Sequence, residues 1–206
     1  MVYGKEWILM CGRYVVADEA EIIEMREILA QINQQYADAM LKTGDIFPTN
    51  IAPVLLPTEG GHWEARPMSW GFPRWDNKGV IINARSETAF EKPMFRTPLL
   101  TKRCVIPSTG FYEWQHVDGK AKKDKYLITV PGNRMLYMAG IYNTFRRQDG
   151  SEIPGYVILT TVANESMEQI HDRMPVILRK DELGIWLSNT ESVQRYFGQS
   201  RAAVKI

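Results

Sequence analysis

The sequence predicts an α+β fold in a single domain, built on a strongly curved, largely antiparallel β-sheet with short helices beside it. Three observations carry this. From residue 50 to residue 161 the chain is a succession of short β-prone runs bounded by Pro, Gly and Asn. Long helical periodicity is confined to one stretch near the N-terminus, and strands and helices do not alternate as a parallel sheet would require. With 206 residues and 45% hydrophobic composition, the chain can bury the core that such a sheet needs.

The elements follow in order. Between Asp18 and Met40, Ile22, Met25, Ile28, Leu29, Ile32 and Tyr36 recur at three- and four-residue steps, with Asp18 and Glu21 spaced as a capping box; this predicts one amphipathic helix. NIAPVLLP (50–57), HWEARPMSWGF (62–72) and GVIINA (79–84) read as strands and their turns. KRCVIP, GFYEWQHV, KYLITV, RMLYMAGIY and GYVILTT continue the pattern, separated by the turn signals VDGK, PGN and RRQDG. Short helices are expected at SETAF (86–90), ESMEQI (165–170), KDELGIWL (180–187) and ESVQRYF (191–197).

A formal net charge of +1 excludes a grossly basic nucleic-acid coat but leaves room for a local basic groove among the 25 Lys and Arg. Two cysteines, Cys11 and Cys104, make neither a disulfide framework nor a metal-ligand spacing, so no metal is expected and a reducing cytoplasm is the simplest setting. MVYGKEWIL is too short an apolar run for a signal peptide, and no stretch approaches a membrane span. KAKKDK (120–125) reads as a solvated hairpin tip, Cys104 as a small buried hydrophobe, and the ten methionines as core filler; His62 and His116 fall in no chemical motif.

Three stretches set polar or ionisable residues within apolar, β-prone sequence: INARSETAF (82–90), GFYEW (110–114) and IHDRMPVIL (170–178). Buried polar groups are costly unless they are paired or useful. Each has a plain structural explanation, with Asn83 as a helix cap, Glu113 as an exposed strand position and His171 as the end of a helix. A fourth stretch, MCGRYVV (10–16), has the form of a protein start placed nine residues inside the chain. Were the chain to begin at Cys11, that residue would carry an α-amine beside its thiol.

Taken together and in order, MCGRYVV, PTNIAP (48–53), SWGFPRW (69–75), INARSETAF, KRCVIPSTGFYEW (102–114) and IHDRMPVILRKDELGIWL (170–187) resemble the SRAP (SOS response-associated peptidase) family, which includes the human abasic-site-crosslinking, 5-hydroxymethylcytosine-binding protein. The resemblance implies a barrel-like core and a domain over 11–206, preceded by an extension, 1–10, that is an artefact or a propeptide. It also implies a covalent reaction with abasic sites in single-stranded DNA. The N-terminal cysteine traps the ring-opened sugar aldehyde as a thiazolidine, with no cofactor. Position by position, Cys11 is then the nucleophile, Asn83 orients the amine or the sugar, Glu113 moves protons at Schiff-base formation, and His171 donates a proton as the sugar opens.

Arg13, Arg85 and Arg173, inside or beside the same motifs, are expected to hold phosphates. Trp70, Phe111 and Trp114 either stack on bases or pack in the core. The implied partner is single-stranded DNA bearing abasic sites, with replication or repair proteins beside it, for a monomer without a membrane and of cytoplasmic, DNA-associated location. SRAAVKI (200–206) is only a faint echo of the family's C-terminal segment, which predicts a barrel either lacking an edge or completed by a partner segment. Two rival functions stand beside the covalent one. One is a non-covalent reader of single-stranded or modified DNA; the other is a cysteine peptidase, acting on its own N-terminus or using Cys11, His171 and Glu113 as nucleophile, base and orienting acid.

Overall fold

The computed structural model describes residues 11–76, 78–115, 124–147 and 149–188. The expected extension 1–10, His116, the turn at 117–120, the lysines of KAKKDK before Asp124, the helix at 191–197 and the tail at 200–206 lie outside the described residues.

In chain order the elements are β1 (Arg13–Val16), α1 (Ile23–Gln35), β2 (Gly44–Ile46), β3 (Ile51–Pro57), β4 (Trp63–Trp70), β5 (Phe72–Pro73), β6 (Val80–Ile81), β7 (Asn83–Arg85) and α2 (Pro93–Thr101). Then come β8 (Arg103–Ser108), β9 (Gly110–Gln115), β10 (Asp124–Ile128), β11 (Leu136–Arg146), β12 (Glu152–Val162), β13 (Arg173–Pro175), β14 (Ile177–Leu178) and α3 (Leu183–Ser188).

Five strands close on themselves. β3 pairs with β4, β4 with β12, β12 with β11, β11 with β8, and β8 again with β3, through Leu55 opposite Val105. Every pairing in this barrel is antiparallel except β4 with β12, where Ser69 and Trp70 lie opposite Gly155 and Tyr156. The apolar runs at Leu136–Ile141 and Gly155–Thr160 are buried at every residue, as expected of strands covered on both faces. The outer half of β12 is flanked by β7, in parallel, and by β13, antiparallel.

A second, antiparallel sheet of order β10–β9–β1–β2 carries RYVV (13–16) and GFYEW side by side, with Arg13 opposite Tyr112 and Tyr14 opposite Phe111. Its inner face meets the barrel through Tyr14, whose hydroxyl lies 2.5 Å from that of Tyr156 and whose ring packs edge-on against Trp70 at 5.1 Å. The Trp70 indole N–H donates to the Ile82 carbonyl at 3.1 Å, which joins the start of INARSETAF to the same cluster.

The helices depart from expectation in detail. α1 begins at Ile23, where its buried stripe Met25, Ile28, Leu29 and Ile32 begins, and no side chain caps it, so Asp18 and Glu21 form no capping box. SETAF and ESMEQI make turns rather than helices. The helix in that region is instead α2, which the two prolines of PMFRTPLLT conceal. Pro93 sits in the first turn, where its missing N–H costs nothing, while Pro98 lies inside the helix and packs with Phe95 and Leu99 in the core. α3 forms within KDELGIWL as expected, after a 3₁₀ turn at Lys180–Glu182. The buried Arg103 guanidinium holds α2 and α3 together by donating to the carbonyls of Leu99, Leu100 and Trp186.

Where β11 crosses β8, Gly140 faces Cys104 in a space that admits no side chain. A Cβ there would collide with the Ile106 methyl and lie 2.8 Å from the Val157 carbonyl oxygen. Gly140→Ala is therefore expected to destabilise the chain by about 1–3 kcal/mol through overpacking. The measurement is a lower urea midpoint at constant m-value; an unchanged midpoint would show that the barrel expands to admit the methyl.

Candidate active site

Cys11 precedes β1 with φ of 43°, in the left-handed region that non-glycine residues rarely occupy. Its side chain is fully buried, and its backbone nitrogen lies 2.6 Å from the Glu113 Oε1. Glu113 is inward-facing on β9 and only 2% exposed. Burial pushes its carboxyl up to about 7, against hydrogen bonds from the Cys11 and Trp114 N–H groups that favour the ionised form; the Asp172 carboxylate adds to the rise. Burial, and then the Glu113 charge, push the Cys11 thiol well above its ordinary value, so it is a neutral thiol at neutral pH.

His171 lies in the segment leading into β13, its side chain 8% exposed. Its Nδ1 is 3.0 Å from the Arg173 N–H and 2.9 Å from the Asp172 Oδ1. These contacts demand opposite states of one atom: an acceptor in the neutral ring with the proton on Nε2, a donor in the neutral ring with the proton on Nδ1 or in the imidazolium. The segment is tied to β9 by the Gln115 Nε2, which donates to the Gln169 carbonyl at 2.6 Å. Asn83 opens β7, opposite Ile158 and directly after the residue that accepts the Trp70 indole N–H. The chain thus brings Cys11 and Glu113 into contact, sets His171 on an adjoining segment, and places Asn83 at the edge of the Tyr14–Trp70 cluster.

The expected DNA-contacting residues divide. Arg13 projects from the outer face of the second sheet, its guanidinium 4.2 Å from the Phe47 ring centroid, 5.5 Å from that of Trp114 and 5.8 Å from that of Tyr112. Asp45 is its loose ionic partner at 3.6 Å. Arg85 is exposed at the end of β7. Arg173, by contrast, is buried and turned to Glu87 and Thr160, so its guanidinium is spent inside the fold rather than offered to phosphate. Trp70 and Phe111 are fully buried, which makes them core residues and not stacking platforms.

Sequence reasoning assigned no role to Trp75. It is 88% exposed on the turn between β5 and β6, beside an Arg74–Asp76 pair that braces the turn. The available signal was the setting, PRWDNKG, a large aromatic among turn-forming residues. Among the described residues no three His, Cys, Asp or Glu side chains are grouped to hold a metal ion, and no helix is long and apolar enough to cross a membrane.

Residues 10–203 match the family described as SOS response associated peptidase (SRAP). The chain belongs to the SRAP family. Among its relatives, abasic site processing protein YoqW of Bacillus subtilis (strain 168) is 36% identical over 189 residues, covering 87% of this chain and 80% of the relative. Abasic site processing protein YedK of Escherichia coli (strain K12) is 30% identical over 184 residues, covering 86% and 79%. Abasic site processing protein HMCES of Xenopus tropicalis is 32% identical over 169 residues, covering 66% and 50%. A crystal structure of a protein from Bacteroides thetaiotaomicron superposes with a TM-score of 0.76 at 27% identity, covering 91% of this chain and 86% of that one.

The raised Glu113 pKa has a sign. Its carboxyl binds a proton more tightly in the folded chain than at its ordinary value of 4.5, so this stabilising contribution is complete below about 4.5 and is lost as pH rises through about 7. Glu113→Gln, which stays neutral, is expected to match the wild type in stability near pH 4 and to exceed it at pH 8, by up to about 3 kcal/mol. Urea denaturation across that range measures the difference; parallel profiles would mean that the fold leaves the Glu113 pKa at its ordinary value.

Proposed function

We propose that this chain processes abasic sites in single-stranded DNA by capturing the ring-opened aldehyde on Cys11 as a thiazolidine. The observation that carries the reading is the 2.6 Å contact between the Cys11 nitrogen and a buried carboxyl that titrates at about 7. The names of the relatives, all abasic site processing proteins, agree with it. On this reading the domain is 11–206 and residues 1–10 are an extension that must be absent, because an amide nitrogen has no nucleophilic lone pair.

In a chain beginning at Cys11, the Glu113 carboxylate takes a proton from the α-ammonium, and the free amine attacks the aldehyde carbon. The protonated carboxyl then returns the proton to the carbinolamine hydroxyl, which leaves as water and gives the iminium. The Cys11 sulfur adds to the iminium carbon as its proton passes back to the carboxylate, which closes the five-membered ring. The net change is aldehyde plus aminothiol to thiazolidine plus water. The neutral thiol sets the order, amine first and sulfur second. His171 supplies the proton to the sugar ring oxygen as the hemiacetal opens, and Asn83 orients the sugar. Arg13 and Arg85 hold phosphates, and Trp114 and Trp75 offer faces for unpaired bases.

A second reading rests on a specific feature, the left-handed backbone at Cys11 with an acid on its nitrogen. In the longer chain the thiol attacks the Met10 carbonyl carbon, the C–N bond breaks as Glu113 protonates the departing nitrogen, and water hydrolyses the resulting thioester. The product is a chain that begins at Cys11, ready for the first reaction.

The chain beginning at Cys11 is expected to form a heat- and SDS-stable adduct with single-stranded DNA bearing an abasic site, of mass equal to the sum less one water. Cys11→Ala should form none, and Glu113→Gln should crosslink about 10²–10⁴-fold more slowly at unchanged DNA affinity. Intact mass follows whether the longer chain trims itself. If a chain verified to retain residues 1–10 crosslinks as fast as the trimmed one, the α-amine is not the nucleophile and the proposal fails. Arg85→Ala is expected to lower the slope of log affinity against log salt by about one, and an unchanged slope would remove Arg85 from the DNA interface.

A further inference from the structure

We infer that Glu87 is a positioning residue: through the guanidinium of Arg173 it fastens the His171 segment to the turn after Asn83, and so fixes which nitrogen of His171 carries the proton. The inference rests on the reading of His171 as a proton donor at the Cys11 site.

The topology sets up the need. β7 and β13 flank the outer half of β12, one carrying Asn83 and the other following His171, and β13 has only three residues to hold it by its ladder. Backbone hydrogen bonds from the Ala163 N–H to the Asp172 carbonyl and from the Val176 N–H to the Leu159 carbonyl extend that hold, and the Arg173 side chain adds a link from this segment to the turn after Asn83. It donates to the Thr160 carbonyl at 3.0 Å and the Thr160 Oγ1 at 3.3 Å, then reaches Glu87, two residues beyond β7, in a fork-to-fork pair of 2.7 and 2.8 Å. The Arg173 side chain is only 10% exposed, so the bidentate geometry fixes the guanidinium from the more open Glu87 side. Loss of Glu87 leaves the largely buried Arg173 charge without its ionic partner, whereas Glu87 itself is 41% exposed.

The main chain of the same residue performs the second half. The Arg173 N–H donates to the His171 Nδ1 at 3.0 Å, and since a backbone N–H can only donate, the ring proton sits on Nε2. The Asp172 carboxylate, 2.9 Å from the same Nδ1, competes for the opposite arrangement, with the proton on Nδ1. The balance depends on where the Arg173 backbone sits, which the ladder with Val162 sets and the Glu87 pair on the guanidinium tightens. A charged partner that reaches a histidine through one intervening residue is the logic by which outer groups orient reactive imidazoles.

The test reads the tautomer directly, without DNA. Nitrogen NMR of the chain at about pH 8, above the ordinary histidine pKa, with the His171 signals assigned by their loss in His171→Gln, should show an unprotonated Nδ1 and a protonated Nε2. In Glu87→Gln the population is expected to shift toward Nδ1–H on the order of tenfold. Glu87→Asp, which keeps the charge one methylene short, should fall between the two. For chains that begin at Cys11, crosslinking at saturating DNA should slow about tenfold in Glu87→Gln at unchanged DNA affinity. Wild-type nitrogen shifts in a folded Glu87→Gln overturn the inference; should that variant not fold, wild-type shifts in Glu87→Asp overturn it equally. Failure of the wild type to crosslink would defeat the functional reading while leaving the tautomer result to stand on its own.

Discussion

The hydroxyl pair of Tyr14 and Tyr156 is the contact on which the site depends. Tyr14 belongs to the strand that begins two residues after Cys11, and Tyr156 belongs to the barrel strand that β7 and β13 flank. Both side chains are fully buried, and burial raises the pKa of each, so both stay neutral and each hydroxyl is the other's partner. Such a bond contributes only about 1 kcal/mol net, but a single hydroxyl left alone in this place would cost about 1–3 kcal/mol. The pairing therefore acts more as a specification than as glue, because it accepts one placement of the second sheet against the barrel. That placement brings Cys11 beside Glu113 within the sheet and sets both next to the segment that carries His171.

Once the sheet is docked, desolvation does the chemical tuning. A carboxyl that would ionise near 4.5 in water is held at about 7, which lets one group accept and return a proton at neutral pH. The same burial keeps the thiol protonated. The two shifts share a cause, the low polarity behind β1 and β9, and they fit a reaction in which nitrogen, not sulfur, begins. The cost is a carboxyl whose ionisation at higher pH works against the fold.

The β-sheet architecture was readable because its signal is local. Short apolar runs and their turn residues mark β3, β4, β8, β9, β11 and β12 without reference to anything distant. α2 was hidden for an equally local reason, since Pro98 inside a nine-residue segment argues against a helix that tertiary packing nonetheless sustains. The site is different. Cys11 and Glu113 are 102 residues apart, and Arg173 and Glu87 are 86 apart, so no spacing rule connects them; only the order of motifs, matched to a family, led to Cys11, Asn83, Glu113 and His171 as one expected site. Tryptophan and arginine mislead for a physical reason. Each is at home both in a core with its polar atoms satisfied and on a nucleic-acid surface, so Trp70 and Arg173 could be told from Trp75 and Arg13 only by seeing what surrounds them.

The electrostatics also weigh the rival of a cysteine peptidase that attacks other chains. That chemistry needs a standing thiolate, made by a histidine cation or a similar positive neighbour that lowers the thiol pKa. Here the thiol is pushed the other way, and Glu113, which such a triad would aim at the histidine, instead bonds the Cys11 nitrogen. Attack on the carbonyl of the preceding residue escapes this objection. The thiol and the Met10 carbonyl belong to the same stretch of backbone, and proximity of that kind is worth effective molarities of about 10⁵–10⁸ M, enough to offset a small thiolate fraction. The barrier then lies in protonating the departing nitrogen, which already sits 2.6 Å from the Glu113 carboxyl. On the proposed function, the same contact serves cleavage before the α-amine exists and aldehyde capture afterwards, so a single buried carboxyl links the two proposed reactions in sequence.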